Sequence, residues 1–175
     1  MFIPSLFKTV QAGQANIGGS FTLPIAVTTA NAIIIYGGNA SNDTSGFPCG
    51  NGSGFVYLAN PTTVSTFGFI GGGVINFTVI EVYPGFLRSP VQYGSGNLSG
   101  GSTGVGVTIS AVGPKAFPLF LGLAESIASA QADMASVTGI VSLFNPTTVL
   151  CSRFGGGGVS APDNAFMGFC VVDPK

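Results

Sequence analysis

The pentapeptide Asn60-Pro61-Thr62-Thr63-Val64 recurs unchanged as Asn145-Pro146-Thr147-Thr148-Val149, 85 residues further along the chain. Similarity at a fixed spacing marks one supersecondary unit used more than once, and it constrains a fold more tightly than any local propensity. At the same spacing Ala26-Val27 falls on Ala111-Val112, Gly37 on Gly122, Phe69 on Phe154, and Gly71-Gly72-Gly73 on Gly156-Gly157-Gly158. Upstream the spacing is 81: Val10-Gln11 meets Val91-Gln92, Gly13 meets Gly94 and Asn16 meets Asn97. The difference is a four-residue gap in the Gly/Ser-rich run near Gly100–Gly104. Near the ends Pro84 aligns with Pro174 at a spacing of 90, which puts an insertion around Ser160–Asn164 and sets Val171 opposite Glu81.

The chain therefore divides into a first unit at residues 1–84, a linker at 85–90 and a second unit at 91–175. Two prolines and a glycine in Pro84-Gly85-Phe86-Leu87-Arg88-Ser89-Pro90 suit a segment that leaves one sheet and enters the next. Val105, Val107, Ile109 and Ala111 alternate with Gly106, Thr108 and Ser110, the period of a strand with one buried face. Its counterpart Phe21–Thr28 contains Pro24, which predicts an edge or a bulge. Ala32–Tyr36 and Phe117–Leu121 read as fully buried strands. Thr62–Ile70 and Thr147–Phe154 follow the shared Asn-Pro turn, and Val74–Tyr83 and Ala165–Val172 close each unit. Leu123–Ala135 is the one stretch rich in helix formers. The fold class expected is all-β: two tandem antiparallel β-sandwich domains, jelly-roll or Ig-like, related by internal duplication.

Charge narrows the function classes. Charged residues make up 6% of the chain, against roughly 25% in an average soluble domain. Gly, Ser, Thr and Asn must cover the outside, and a nearly neutral surface favours association. Five basic residues make no patch for phosphates, so no nucleic acid is expected. The longest apolar runs are far short of the ~20 residues of a spanning helix, so no membrane is expected either. Met1–Lys8 lacks the basic and apolar regions of an export signal, which predicts synthesis and assembly in a cytoplasm. Cys49, Cys151 and Cys170 cannot all pair within one chain; free buried thiols are expected, with a Cys151–Cys170 bridge as the alternative.

Catalytic chemistry has little to work with. The chain has no histidine, which removes the commonest general base and metal ligand. Lys115, after Gly113-Pro114, reads as a solvent-facing turn residue, and Glu125 and Asp133 read as solvated charges. Glu81, flanked by parity by Phe77, Val79 and Tyr83, suggests a strand end, an edge guard or a partner for Arg88. The Gly71–Gly73 and Gly155–Gly158 runs lack the Gly-Lys-Ser/Thr ending of a phosphate loop and read as turns. No catalytic, cofactor-binding or metal-binding residues are expected, and the chain is read as a non-enzyme.

Taken together, Val10-Gln11-x-Gly13, Asn60–Val64 and Thr78–Val82, then Val91-Gln92-x-Gly94, Thr108–Val112 and Asn145–Val149, resemble the repeat of short β-sandwich proteins encoded among the structural genes of tailed phages. The resemblance covers nearly the whole chain and rests on strand and turn signatures. It implies a virion structural protein, most simply a capsid decoration or cement protein, partnered by the major capsid protein or by tail proteins. The alternative is a tail or tail-fibre receptor-binding module whose loops Ser41–Gly54 and Asn97–Gly104 hold glycan. A distant likeness in strand pattern to galactosamine-binding H-type lectins lacks locatable sugar contacts. A homo-oligomer is expected; a trimer of two-unit chains would present six similar domains. The apolar arm Met1–Phe7 would dock on a neighbour's groove or sheet edge. A third reading is a bacterial surface or pilus-like protein.

Overall fold

The computed structural model describes residues 6–41, 53–69, 72–98, 102–126, 139–153 and 164–175. These residues form twelve strands: β1 (Phe7–Asn16), β2 (Ser20–Thr22), β3 (Ala32–Ser41), β4 (Gly54–Asn60), β5 (Thr63–Phe67), β6 (Gly73–Val82), β7 (Gln92–Asn97), β8 (Gly104–Thr108), β9 (Phe117–Ser126), β10 (Gly139–Asn145), β11 (Thr148–Arg153) and β12 (Asn164–Val172). Single 3₁₀ turns occupy Thr29–Asn31 and Pro84–Phe86. The protein is all-β. Every pairing between strands is antiparallel, in three sheets of order β1-β6-β3, β10-β11-β8 and β2-β5-β4-β9-β12-β7.

Alternation along the strands supplies two hydrophobic clusters. On β6, Ile75, Phe77 and Val79 are buried; they join Ala15 of β1, Ile34 of β3 and Val56, Leu58 and Val64 from β4 and β5. The sheet β1-β6-β3 and the β2-β5-β4 end of the long sheet thus share one core. In the second cluster Met167, Phe169 and Val171 of β12 meet Val149 and Cys151 of β11 and Leu98, with Val105 and Val107 of β8 packed against them. The next residues of β12, Cys170 and Val172, turn the other way and belong to the first cluster.

Two close approaches fix the registers. Gly13 lies opposite Phe77 and Gly94 opposite Phe169. A Cβ on Gly13 would stand 2.7 Å from Phe77 Cζ, and one on Gly94 2.5 Å from Phe169 Cζ. Glycine leaves space for a ring in both places. The repeated Asn-Pro-Thr turn is equally local: Asn60 Oδ1 accepts from the Thr62 N–H at 2.9 Å and the Thr62 hydroxyl at 3.0 Å, and Asn145 does the same with Thr147 at the same distances. Asn145→Ala removes both bonds from a solvent-exposed turn, so a loss of about 1 kcal/mol is expected in chemical denaturation.

Several expectations change. Leu123–Ser126, expected as the start of a helix, end strand β9; residues 127–135 of that segment lie outside the described residues. Pairing with β12 on one side and β4 on the other outweighs the helix propensity of Ala and Glu there. Ala32–Tyr36 is not buried throughout: Ala32 and Ile34 are buried and Ile35 is exposed, because successive side chains point to opposite faces and only one face meets the core. Phe117 likewise faces solvent. β2 stops before Pro24 and sits at a sheet edge, where a residue without an N–H is tolerated.

Candidate functional site

The reactive side chains are tied into the scaffold. Glu81, in the central strand of its sheet, is 1% exposed. Its Oε1 accepts from Lys8 Nζ at 2.9 Å and from the Thr28 N–H at 3.0 Å. The partner is therefore Lys8, and the edge-guard reading and the Arg88 pairing are both corrected. Lys8 reaches Glu81 because β1 slips register between Phe7 and Thr9. Arg88 instead approaches Asp173, with Nε 3.8 Å from Oδ1. Asp173 is also 1% exposed, and its Oδ2 accepts from the Gly113 N–H and the Ser89 hydroxyl, both at 3.0 Å. Gln11 lies opposite Val79 and Gln92 opposite Val171. Counting two residues on, Asp173 rather than Val171 stands where Glu81 does, so the expected alignment of Val171 with Glu81 is also corrected.

Burial disfavours the charged form of Glu81, but the hydrogen bonds from Thr28 and Lys8 and the Lys8 charge outweigh it and hold the carboxyl below its ordinary value of 4.5. A carboxyl depressed in the folded state contributes stability above its unfolded-state value, and that stability is lost as pH falls through the folded value. Thermal stability is therefore expected to decline as pH drops below about 4.5. Glu81→Gln should lower the neutral-pH midpoint and flatten this acid limb; an unchanged limb would refute the assignment.

The thiols are not poised for chemistry. Cys151 and Cys170 are free and buried, and Cys49 lies outside the described residues. Burial pushes Cys151 up to about 11 and Cys170 up to about 12, suppressing the thiolate that would react. Lys115 is exposed, and its Nζ donates to the Lys175 carbonyl at 2.9 Å. Arg153 is buried and donates from Nε to the Ser102 carbonyl at 3.0 Å. Glu125 falls within β9, while Asp133, Gly71, Gly155–Gly158 and residues 1–5 of the arm lie outside the described residues. The expected glycan loops are described only at their ends. Among the described residues no three Cys, Asp or Glu side chains gather as a metal site, and no helix is long and apolar enough to cross a membrane.

What the fold presents instead is strand edges. The long sheet is two three-stranded pieces joined where β4 meets β9, with Gly54 opposite Leu123 and Phe55 opposite Gly122. Gly122 makes the junction: its φ is +113°, and a Cβ there would stand 2.8 Å from Phe55 Cα and closer still to the Gly54 carbonyl oxygen. Phe55, 8% exposed, packs over Gly168. Beside it Phe67 and Phe69 set their rings against Phe166 at centroid distances of 5.6 and 5.8 Å. The sheets β1-β6-β3 and β10-β11-β8 end on β3 and β10, which pair with no further strand among the described residues. Near these edges Ile35, Ile140 and Phe144 are exposed, Phe144 by 73%.

Sequence reasoning found many of the strands and the Asn-Pro turns but not this junction, whose trace is a pair of glycines among 28. Comparison of the chain with family models, curated proteins and solved structures finds no match in any of the three.

Proposed function

We propose that the chain is a non-enzymatic structural protein of a tailed-phage particle, acting as a capsid decoration or cement protein and built from two copies of one β-sandwich unit. The observation that carries the reading is the recurrence of one pairing scheme with its polar clamps. The order β1-β6-β3 is repeated by β7-β12-β9, and β2-β5-β4 by β8-β11-β10. Gln11 bonds both ways with the backbone of Ile25, at 2.8 and 2.9 Å; Gln92 does so with Ser110, at 3.1 and 2.7 Å. The Leu23 N–H donates to the Thr62 carbonyl and the Ile109 N–H to that of Thr147. Glu81 and Asp173 each bury a carboxylate against a backbone N–H and a cation. Side chains that hold backbone in this way serve architecture.

On this reading the units are residues 1–84 and 91–175, and the linker at 85–90 is anchored: the Arg88 N–H donates to the Asp173 carbonyl at 2.8 Å. The low charge and the apolar residues on edge strands favour stable contact with other subunits, and the phage assignment rests on the strand and turn motifs. Quantifying copies per purified particle tests it. Copy numbers comparable with the major capsid protein are expected, whereas a handful located at the tail would overturn the capsid role.

The half-exposed rings of Tyr57 and Phe69 beside Phe55 and Phe67 favour one second reading, a tail-associated glycan-binding module, since flat aromatic faces suit sugar rings. Retention on a glycan array that is lost in Tyr57→Ala would support it.

A further inference from the structure

We infer that the outer face of the β1-β6-β3 sheet takes a second copy of the chain, the two sheets packing face to face about a two-fold axis along β6. Part of the argument rests on the two-unit reading above. On the face turned away from Ile34, Phe77 and Val79, side chains form two rows across the sheet. Val10, Ile80 and Ile33 share one register, and Ala12, Thr78 and Ile35 the next. Val10 is 58% exposed and Ile35 41%; Ala12 is exposed and the other three are half-buried. The solvated face of an antiparallel sheet ordinarily carries polar side chains. Here one hydroxyl stands among five aliphatic residues. Beyond the rows the same face turns polar, with Gln14 Nε2 donating to Asn76 Oδ1 at 3.0 Å.

The second unit covers the corresponding face. Val91 stands in the place of Val10 and Tyr93 in that of Ala12; by the registers against Gln11 and Gln92, Val172 answers to Ile80 and Cys170 to Thr78. Val91, Cys170 and Val172 are buried in the first cluster, and Tyr93 packs against it. Phe117, in the place of Ile33, is the exception at 44% exposed. A face that one unit buries against the other is thus left open in the first unit. The two faces suit different occupants. The Tyr93 hydroxyl and Cys170 thiol donate to the carbonyls of Ala32 and Ile34, at 2.8 and 3.9 Å, so that face fits a strand edge. Ala12 offers no such donor. The open face therefore fits a surface whose backbone is already paired, which is the face of another sheet. Size selects the sheet. Val10 and Ala12 on β1 are slight, and Ile33 and Ile35 on β3 are bulky. An axis along β6 lays β1 over β3 of the second copy, so that Val10 meets Ile33, Ala12 meets Ile35 and Ile80 meets its own counterpart. Slight faces bulky on both sides, across sheets about 10 Å apart. No charged side chain lies in either row, so none is buried, and the contact closes at two copies.

The test uses the full chain. Sedimentation across a concentration series should show a monomer–dimer equilibrium ending at twice the 17.5 kDa chain mass. Ala12→Lys and Ile35→Glu should each weaken the dimer by roughly 100-fold, because each buries an unpaired charge, while the melting temperature of the dilute protein changes little. Mixing the two variants should restore the dimer, since the two-fold sets their opposite charges against each other. Ile140→Lys, at an exposed position on β10, should leave the dimer intact. A wild-type chain that stays monomeric at every concentration would overturn the proposal, as would a dimer that Ala12→Lys and Ile35→Glu leave unweakened. A mixture of the two that stays monomeric would overturn the pairing of β1 with β3. Each result concerns this face alone, since the particle role is decided separately by copies per particle.

Discussion

Gly122→Ala is expected to destabilise the protein by roughly 3–5 kcal/mol in urea denaturation, among the largest effects of any single methyl added to this chain. Two costs combine. At a φ of +113° any side chain is strained, at roughly 1–3 kcal/mol. The new Cβ would also overlap the Gly54 carbonyl and Phe55 Cα, backbone atoms that cannot swing aside. Relief requires β4 to withdraw from β9, which uncovers Phe55 and breaks the strand pairing that joins the two pieces of the six-stranded sheet. Gly38→Ala isolates the first cost. It shares the backbone conformation but has open space around it, so about 1–3 kcal/mol is expected. Equal losses in the two variants would mean that close docking of β4 adds nothing.

Phe169→Ala is the second large effect, at about 3–5 kcal/mol. The ring is fully buried, fills the space that Gly94 leaves open and packs within the second cluster. Removing it leaves a cavity whose walls are strands held by hydrogen bonds on both sides, β7 and β9 flanking β12. Collapse is therefore limited. Gly94→Ala attacks the same contact from the other side, its Cβ placed 2.5 Å from the ring, and should cost about 1–3 kcal/mol by overpacking. Because the two residues touch, combining Gly94→Ala with Phe169→Leu should be less destabilising than the sum of the single changes. Strict additivity would argue that the ring and the glycine are not in contact.

Much of the fold is legible in the chain, for a reason visible in particular residues. The closing strands expected at Val74–Tyr83 and Ala165–Val172 are observed at Gly73–Val82 and Asn164–Val172. Their apolar and aromatic runs are bounded by glycine or proline, so propensity and the turn signals agree. The Asn-Pro-Thr turns are legible because a side chain closes on its own backbone two residues away. What escapes is whatever main-chain pairing decides. Nothing in Leu123-Ala124-Glu125-Ser126 announces that two strands will flank it, and a helix reading follows from composition alone. Nor does Gly122 differ, as a letter, from a turn glycine. The matching position of Asp173 and Glu81 is hidden by a change of side-chain length and by an alignment anchored on proline. Only the registers against Gln11 and Gln92 reveal it.

Strand β12 sends Phe169 and Val171 into one core and Cys170 and Val172 into the other. Neither half of the protein can lose its interior without stripping a wall from its neighbour. Melting should accordingly proceed as one event in calorimetry, with the heat of the whole chain absorbed in a single peak. The same sharing makes this strand intolerant of drift: a volume change there is felt twice, whereas the exposed turns can vary one unit at a time.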